Sequence, residues 1–133
     1  MKFKVISFVV ITAIIFSAIY GCAKVDYITI KDVQYSTSLT KLDLSDMDLR
    51  NADIEPLKYM TKLTKLYLGN NQISDISSLK GLTHLTGLSL WGNQISDINP
   101  LKDWINLWEL DLLGNPIIDW SPVSHVPNVE GRP

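Results

Sequence analysis

The hexapeptide Asn-Gln-Ile-Ser-Asp-Ile stands at residues 71–76 and again, 22 residues on, at 93–98. Apolar residues recur around it at the same interval. A period of roughly 20 to 30 residues specifies a solenoid, because no unit buries its own apolar face and each must stack on the next. The question then shifts from which reaction the chain catalyses to which surface it presents.

One unit carries Leu63, Leu66, Leu68, Asn71, Ile73, Ile76, Leu79 and Leu82. The next, 22 places on, carries Leu85, Leu88, Leu90, Asn93, Ile95, Ile98, Leu101 and Trp104. A third carries Leu107, Leu110, Leu112, Asn115, Ile117, Trp120, Val123 and Val126. An earlier unit fits with one slip. Leu39, Leu42, Leu44, Met47 and Leu49 lie 24 places before their counterparts, whereas Ile54, Leu57 and Met60 lie 22 before theirs. The two extra residues therefore fall within Arg50-Asn51-Ala52-Asp53. Four units are expected over 39–126.

In Lys65-Leu66-Tyr67-Leu68 the polarity alternates, which predicts a strand with both leucines inward and Lys65 and Tyr67 outward. Successive parallel strands need a crossover, and 22 residues leave too little chain for a full helix, so short 3₁₀ turns are expected there. Asn71, Asn93 and Asn115 fall where the chain leaves each strand. A side-chain amide at such a bend can bond backbone groups left unpaired, which makes these asparagines structural. Met47 holds that place in the first unit, so the asparagine ladder should be missing at that end.

The pattern L-x-x-L-x-L-x-x-N-x-I-x-x-I-x-x-L-x-x-L-x-x is that of the leucine-rich repeat. In this 22-residue form, with Ser74-Asp75-Ile76 and the openings Leu63-Thr64 and Leu85-Thr86, it resembles the repeats of internalin-like bacterial surface proteins. The resemblance runs from about residue 28 to the C-terminus. It implies an α/β-type solenoid, a shallow right-handed coil with parallel strands on the concave face and short turns on the convex face. It also implies a protein-binding role, although a fold does not by itself fix a function.

The start of the chain bears on location. Lys2 and Lys4 precede an uncharged stretch over 5–21 that stops at Cys22, the one cysteine. A positive start and a short apolar run describe a secretory signal over 1–21. The run is shorter than the roughly 20 residues of a spanning helix. Ile19-Tyr20-Gly21-Cys22 resembles the bacterial lipobox, which implies lipid attachment at Cys22. Gly21 and Ile19 match that pattern, and Tyr20 departs from its usual small or branched residue. A retained signal-anchor helix is the alternative, and either reading puts the repeats outside the cytoplasm. A lone cysteine has no partner for a disulfide or a metal cluster. Lipid fits it better: each buried methylene contributes about 0.8 kcal/mol, so two or more acyl chains tether firmly.

Residues 22–38 are expected to form the lipidated N-terminus and a cap. Too few residues precede Tyr27 for a long stalk, so the domain should ride close to the membrane. Within 27–38, Ile28, Ile30, Val33 and Tyr35 are expected to act as a partial unit covering the first repeat, since an open solenoid end exposes core and strand edge. At the other end Trp120, Val123, Val126 and Val129 continue the apolar spacing. Pro116, Pro122 and Pro127 are expected to interrupt regular pairing there. Residues 127–133 then form a tail or cap, and Val129-Glu130-Gly131-Arg132-Pro133 looks like a terminal segment of this repeat class, which implies a finished chain.

Charge excludes one class of partner. Removing 1–21 takes away Lys2 and Lys4 and no acid, leaving 10 basic and 14 acidic side chains, a net of −4. Nucleic acid requires a concentrated basic face, and none is present in the sequence.

The outward strand positions carry what distinguishes this chain. They are Lys41, Asp43 and Ser45; Lys65, Tyr67 and Gly69; Gly87, Ser89 and Trp91; and Glu109, Asp111 and Leu113. With strands about 4.8 Å apart, Trp91 should lie beside Leu113, with Tyr67 on a diagonal. Trp108 should stand at the leading end of its strand, near Thr86 and Gly87. Gly87 and Ser89 should leave a shallow depression. Lysines gather on the first two strands and acids on the last. Aromatic residues dominate interface hot spots, so this face is the expected protein-binding patch, against the alternative of scattered surface apolars. Trp104 and Trp120 replace repeat aliphatics and are expected to fill the core and end cap.

No catalytic group, cofactor or metal site is expected. His84 and His125 are about two turns of the coil apart. Ser124, His125 and Asp119 form a trio only on paper, with no oxyanion site beside them. Glu109 and Asp111, about 6.6 Å apart along a strand, overlap the spacing of glycosidase acids, but an open face does not desolvate them. No phosphate loop or cysteine–histidine spacing appears. The expected protein is a monomer. It acts either as a lipid-tethered interaction module or as a structural envelope lipoprotein without a selective ligand. Four units offer a face about 15–20 Å wide, small for a standard interface, which favours weak or multivalent binding.

Overall fold

The computed structural model describes residues 25–133, so the predicted signal over 1–21 and Cys22 lie outside the described residues. The chain opens with a hairpin, β1 (Tyr27–Ile30) paired antiparallel with β2 (Val33–Ser36). Lys31 and Asp32 at its tip both have positive φ, 48° and 65°. A two-residue loop with two left-handed residues has the twist that closes an antiparallel pair. The segment expected to be a partial repeat unit is therefore a separate two-stranded sheet. It still covers the end of the core. Ile28 and Ile30 are buried and Tyr35 packs beside them, with β1 laid against the first crossover. Val33, however, is 47% exposed. It belongs to the outer strand, opposite Ile30 but beyond the core's edge. The tip is tied down by Lys31 Nζ, 3.7 Å from Asp53 Oδ2.

The leucine pairs form the predicted strands: β3 (Lys41–Asp43), β4 (Lys65–Tyr67), β5 (Gly87–Ser89) and β6 (Glu109–Asp111). They run parallel in chain order, with Leu42, Leu66, Leu88 and Leu110 in register and buried. A fifth strand, β7 (Asn128–Glu130), continues the sheet and places Val129 opposite Leu110. The prolines do not interrupt this pairing, contrary to expectation. Pro122 sits inside a 3₁₀ turn, and Pro127 ends just before β7. Asn128 keeps its N–H and donates it to Trp108 O at 3.2 Å, while Leu112 N–H reaches Glu130 O at 3.1 Å.

The crossovers are short, as the spacing requires. They are the 3₁₀ turns Glu55–Tyr59, Ser77–Leu79, Asn99–Leu101 and Ser121–Val123. The two extra residues of the first unit lie where a single α-helical turn forms, α1 (Asn51–Ile54), with Asp53 Oδ2 accepting Arg50 N–H at 2.8 Å. Leu57, Leu79, Leu101 and Val123 point from these turns into the core between turns and sheet. Trp104 is fully buried there, and its indole N–H donates to Lys80 O at 3.2 Å. Trp120 is half-buried against the same core.

The asparagine ladder binds successive units. The Asn93 side-chain amide donates to Leu68 O and Leu90 O, both at 2.9 Å, and its Oδ1 accepts Ile73 N–H at 3.0 Å. Asn115 repeats this with Leu90 O, Leu112 O and Ile95 N–H. Asn71 donates to Leu44 O and Leu68 O and accepts from Leu49 and Met47 N–H. Each asparagine thus serves its own unit and the one before. The unit with Met47 is served by Asn71. The residue just before each rung (Asp46, Asn70, Gly92 and Gly114) is left-handed, which bends the chain out of the strand.

A second ladder lies on the turn side. Asp75, Asp97 and Asp119 each accept the N–H two residues on, from Ser77, Asn99 and Ser121, at 2.8–2.9 Å. They start the 3₁₀ turns. The Ser77 hydroxyl, then its N–H, holds the Asp75 carboxyl below its usual value, and Ser121 does the same for Asp119.

Candidate functional site

Period-two alternation sends Lys65, Tyr67, Ser89, Glu109 and Asp111 to the open face of the sheet, opposite the buried leucines. The expected depression is there, about 620 Å³. Gly87, which has no side chain, and Ser89, which has a small one, leave the space open. Tyr67, Trp91, Glu109, Asp111, Asn128 and Glu130 complete its polar and aromatic lining.

Trp91 is not directed as expected from its column alone. Its indole lies over Gly69 on the side of β4, so close that a Cβ on Gly69 would fall 2.0 Å from Trp91 Nε1. The glycine makes room for the ring, and the ring buries the glycine. Trp91 nonetheless stays 38% exposed. Its neighbour across the sheet, Leu113, is 59% exposed and stands outside the depression. Tyr67 is half-buried, and Lys41 Nζ sits 5.2 Å from its ring centre, a cation–π contact across adjacent strands.

The charge layout is more connected than the columns foretold. Lys65 reaches across the glycine gap at Gly87 to Glu109 Oε2 at 3.2 Å, spanning two strands. A Cβ on Gly87 would just touch both side chains, 3.5 Å from each. Asp111 is half-buried and fixed: its Oδ1 accepts Leu113 N–H at 3.1 Å, and Ser89 Oγ donates to its Oδ2 at 3.4 Å. Asp43 is exposed, its Oδ1 accepting Ser45 N–H at 3.0 Å.

Not every candidate converges. Tyr67, Ser89, Trp91, Glu109 and Asp111 share the depression. Lys41 and Lys65 reach its neighbourhood through Tyr67 and Glu109. Asp43, Leu113 and Trp108 stand apart from its lining. Trp108 is at the leading end of β6, where its N–H donates to Thr86 O at 2.9 Å, and it is 59% exposed. Asn128 and Glu130 also line the depression and were not among the expected outward positions. The available signal was the alternation Asn128-Val129-Glu130, whose inward valine lies 19 rather than 22 places after Leu110.

Among the described residues no group of three histidine, cysteine or acidic side chains is placed to hold a metal ion. His125 bonds the backbone through Trp104 O at 3.2 Å. Among the described residues no helix is long and apolar enough to cross a membrane.

The repeat frame is matched by two family models. The Leucine rich repeat model covers residues 37–95, and the model of two Leucine Rich repeat copies covers 83–125. The chain is a leucine-rich-repeat protein. Among solved structures it is similar to the internalin InlF of Listeria monocytogenes, at 35% identity and a TM-score of 0.64, over 71% of this chain and 28% of that one. It is also similar to internalin C2 of the same organism, at 34% identity and a TM-score of 0.51, over 70% and 51%. The chain thus spans about a quarter to a half of the internalins it matches. A chain of the Drosophila melanogaster SNF/U2A' complex shares the fold at 22% identity, a TM-score of 0.51, and 72% and 62% coverage. No curated protein matches.

Proposed function

We propose that this protein is tethered to the bacterial cell membrane through a lipid on Cys22 and binds a protein partner at the cell surface with the open face of its sheet. The observation that carries the binding role is the seat of Trp91. A large aromatic ring rests on a glycine, half open to solvent, beside a depression lined by Tyr67, Ser89 and Asp111. Leucine-rich repeats and other solenoids use such extended faces for binding, and a rigidly seated aromatic is a typical interface anchor. The reading is recognition, because the carboxylates of the depression stand on an open face of a solenoid, the kind of surface that repeat proteins present to partners. Tethering is supported by the basic start, the apolar run and the Gly21-Cys22 junction.

The test is co-purification from intact cells with the full-length chain as bait. Trp91→Ala and Tyr67→Ala are each expected to lose a partner that the wild type retains, while the leucine core beneath them is untouched and each variant still unfolds cooperatively. A partner retained by both variants contradicts the role of this face. Fatty-acid labelling checks the tether: the wild type should take the label and Cys22→Ser should not, and a labelled serine variant would place the lipid elsewhere.

A further inference from the structure

We propose that the edge of the coil where the chain enters each strand rests on an anionic lipid bilayer, with Trp108 and Ile105 set among the headgroups; this rests on the tether proposed above. The loops that return from the 3₁₀ turns meet along this edge. Thr64 N–H donates to Thr40 O at 2.7 Å, Thr86 N–H to Thr64 O at 2.8 Å, and Trp108 N–H to Thr86 O at 2.9 Å, so the four stand in one row. Three places earlier in each unit are Thr37, Thr61, Thr83 and Ile105. Both threonine columns therefore turn apolar in the last unit. The core does not require this, since Ile105 is 83% exposed and Trp108 59%.

Charge divides along the same line. The return segments 58–64, 80–86 and 102–108 carry Lys58, Lys62, Lys80 and Lys102 against Asp103 alone, all of them exposed. The segments that leave the strands, 44–55, 68–77, 90–99 and 112–121, carry seven acids, Asp75, Asp97 and Asp119 among them, against Arg50 alone. An acidic chain thus has one basic edge. An anionic bilayer attracts that edge and repels the opposite one. A tryptophan with an open ring suits the headgroup layer, where its apolar body and N–H both find partners. The route of the chain decides for lipid over other anionic surfaces. Two residues separate Cys22 from Val25. The Thr37 hydroxyl donates to Val25 O, and Thr37 N–H to Asp26 O at 2.9 Å. Asp26 shares a small hollow with Lys62 of the first return segment. An acyl chain on Cys22 would hold the basic edge to the bilayer, and a lipid joined to a basic patch anchors firmly where one acyl chain alone does not. The open face then stands upright, clear for a partner.

Tryptophan fluorescence of the full-length chain, reconstituted in vesicles of brominated phosphatidylglycerol and phosphatidylcholine, tests this. Flotation reads attachment, and mass spectrometry reads the lipid on Cys22. Bromine quenches only indoles that reach the bilayer. Emission is expected to fall when brominated lipid replaces plain lipid. Trp108→Phe should lose most of that fall, and Trp91→Phe should keep it. K62E/K80E/K102E should float as the wild type does yet lose the quenching, with melting by circular dichroism confirming its fold. A lipidated chain that floats unquenched, or is quenched equally in Trp108→Phe, overturns the bilayer as occupant of this edge and leaves the tether standing. Equal quenching in vesicles of phosphatidylcholine alone overturns the anionic surface. Quenching through Trp108 in a chain without a lipid on Cys22 supports the edge and overturns the lipid tether in favour of a retained anchor. Failure to float overturns both.

Discussion

Ser78 is where the convex side of the coil departs from its own rule. Pro56, Pro100 and Pro122 hold the same place in the other three turns, and Ser78 Oγ is buried without a hydrogen-bond partner among the described residues. Ser77-Ser78-Leu79 and Ser121-Pro122-Val123 are the same 3₁₀ turn, each following an aspartate that caps it. Proline should therefore fit without strain. Ser78→Pro is expected to stabilise the fold by about 0.4–1 kcal/mol, mainly by restricting the unfolded chain, and to remove an orphaned hydroxyl. Urea unfolding checks this, and a destabilised variant would mean the turns are not equivalent. Gly69 makes the opposite point on the open face. A methyl there cannot coexist with the Trp91 ring. Gly69→Ala should swing the indole into solvent and shift its fluorescence to longer wavelength, with the sheet intact. Unchanged emission would mean the ring is not seated on Gly69.

Among the elements, what the sequence revealed was whatever repeats. Leu66, Leu88 and Leu110 recur at one interval, so strand, register and inward face could all be read from the chain. Met60, Leu82 and Trp104 gave the far side of the core in the same way. Elements that occur once were hidden. The hairpin is set by two left-handed residues, Lys31 and Asp32, whose types do not announce a turn as asparagine–glycine does. Strand β7 was masked by Pro127 and by a spacing three residues short. The site followed the same division. Tyr67, Ser89, Trp91, Glu109 and Asp111 were legible as outward positions, but the Lys65–Glu109 pair and the tilt of Trp91 depend on which side chains a glycine leaves room for. The ladder of leucines carries a direct expectation. Leu88 lies in the central strand at 3% exposure, and Leu88→Ala should cost about 2–5 kcal/mol by leaving a cavity. A loss well under 1 kcal/mol in thermal or urea unfolding would contradict its place in the core.

At the scale of the whole molecule the two faces divide the work. The turn side repeats because aspartate caps, asparagine rungs and apolar layers must recur for units to stack. The open face varies because stacking does not constrain it: Gly87 stands where its neighbours have Lys65 and Glu109, and Trp91 where they have Gly69 and Leu113. Five strands about 4.8 Å apart give a face roughly 19 Å across, less than a standard interface uses. In the proposed binding role, affinity would come from a few anchored side chains, or from several copies acting together if the chain is tethered as proposed. The most direct measurement is site-specific photocrosslinking on intact cells, with the reactive residue placed either at Ser89 on the open face or at Lys80 on the turn side. A partner is expected to be captured from Ser89, to be lost when Trp91→Ala is added, and to be absent from Lys80. Capture from Lys80 alone, or from both positions regardless of Trp91, would mean that the open face is not the binding face.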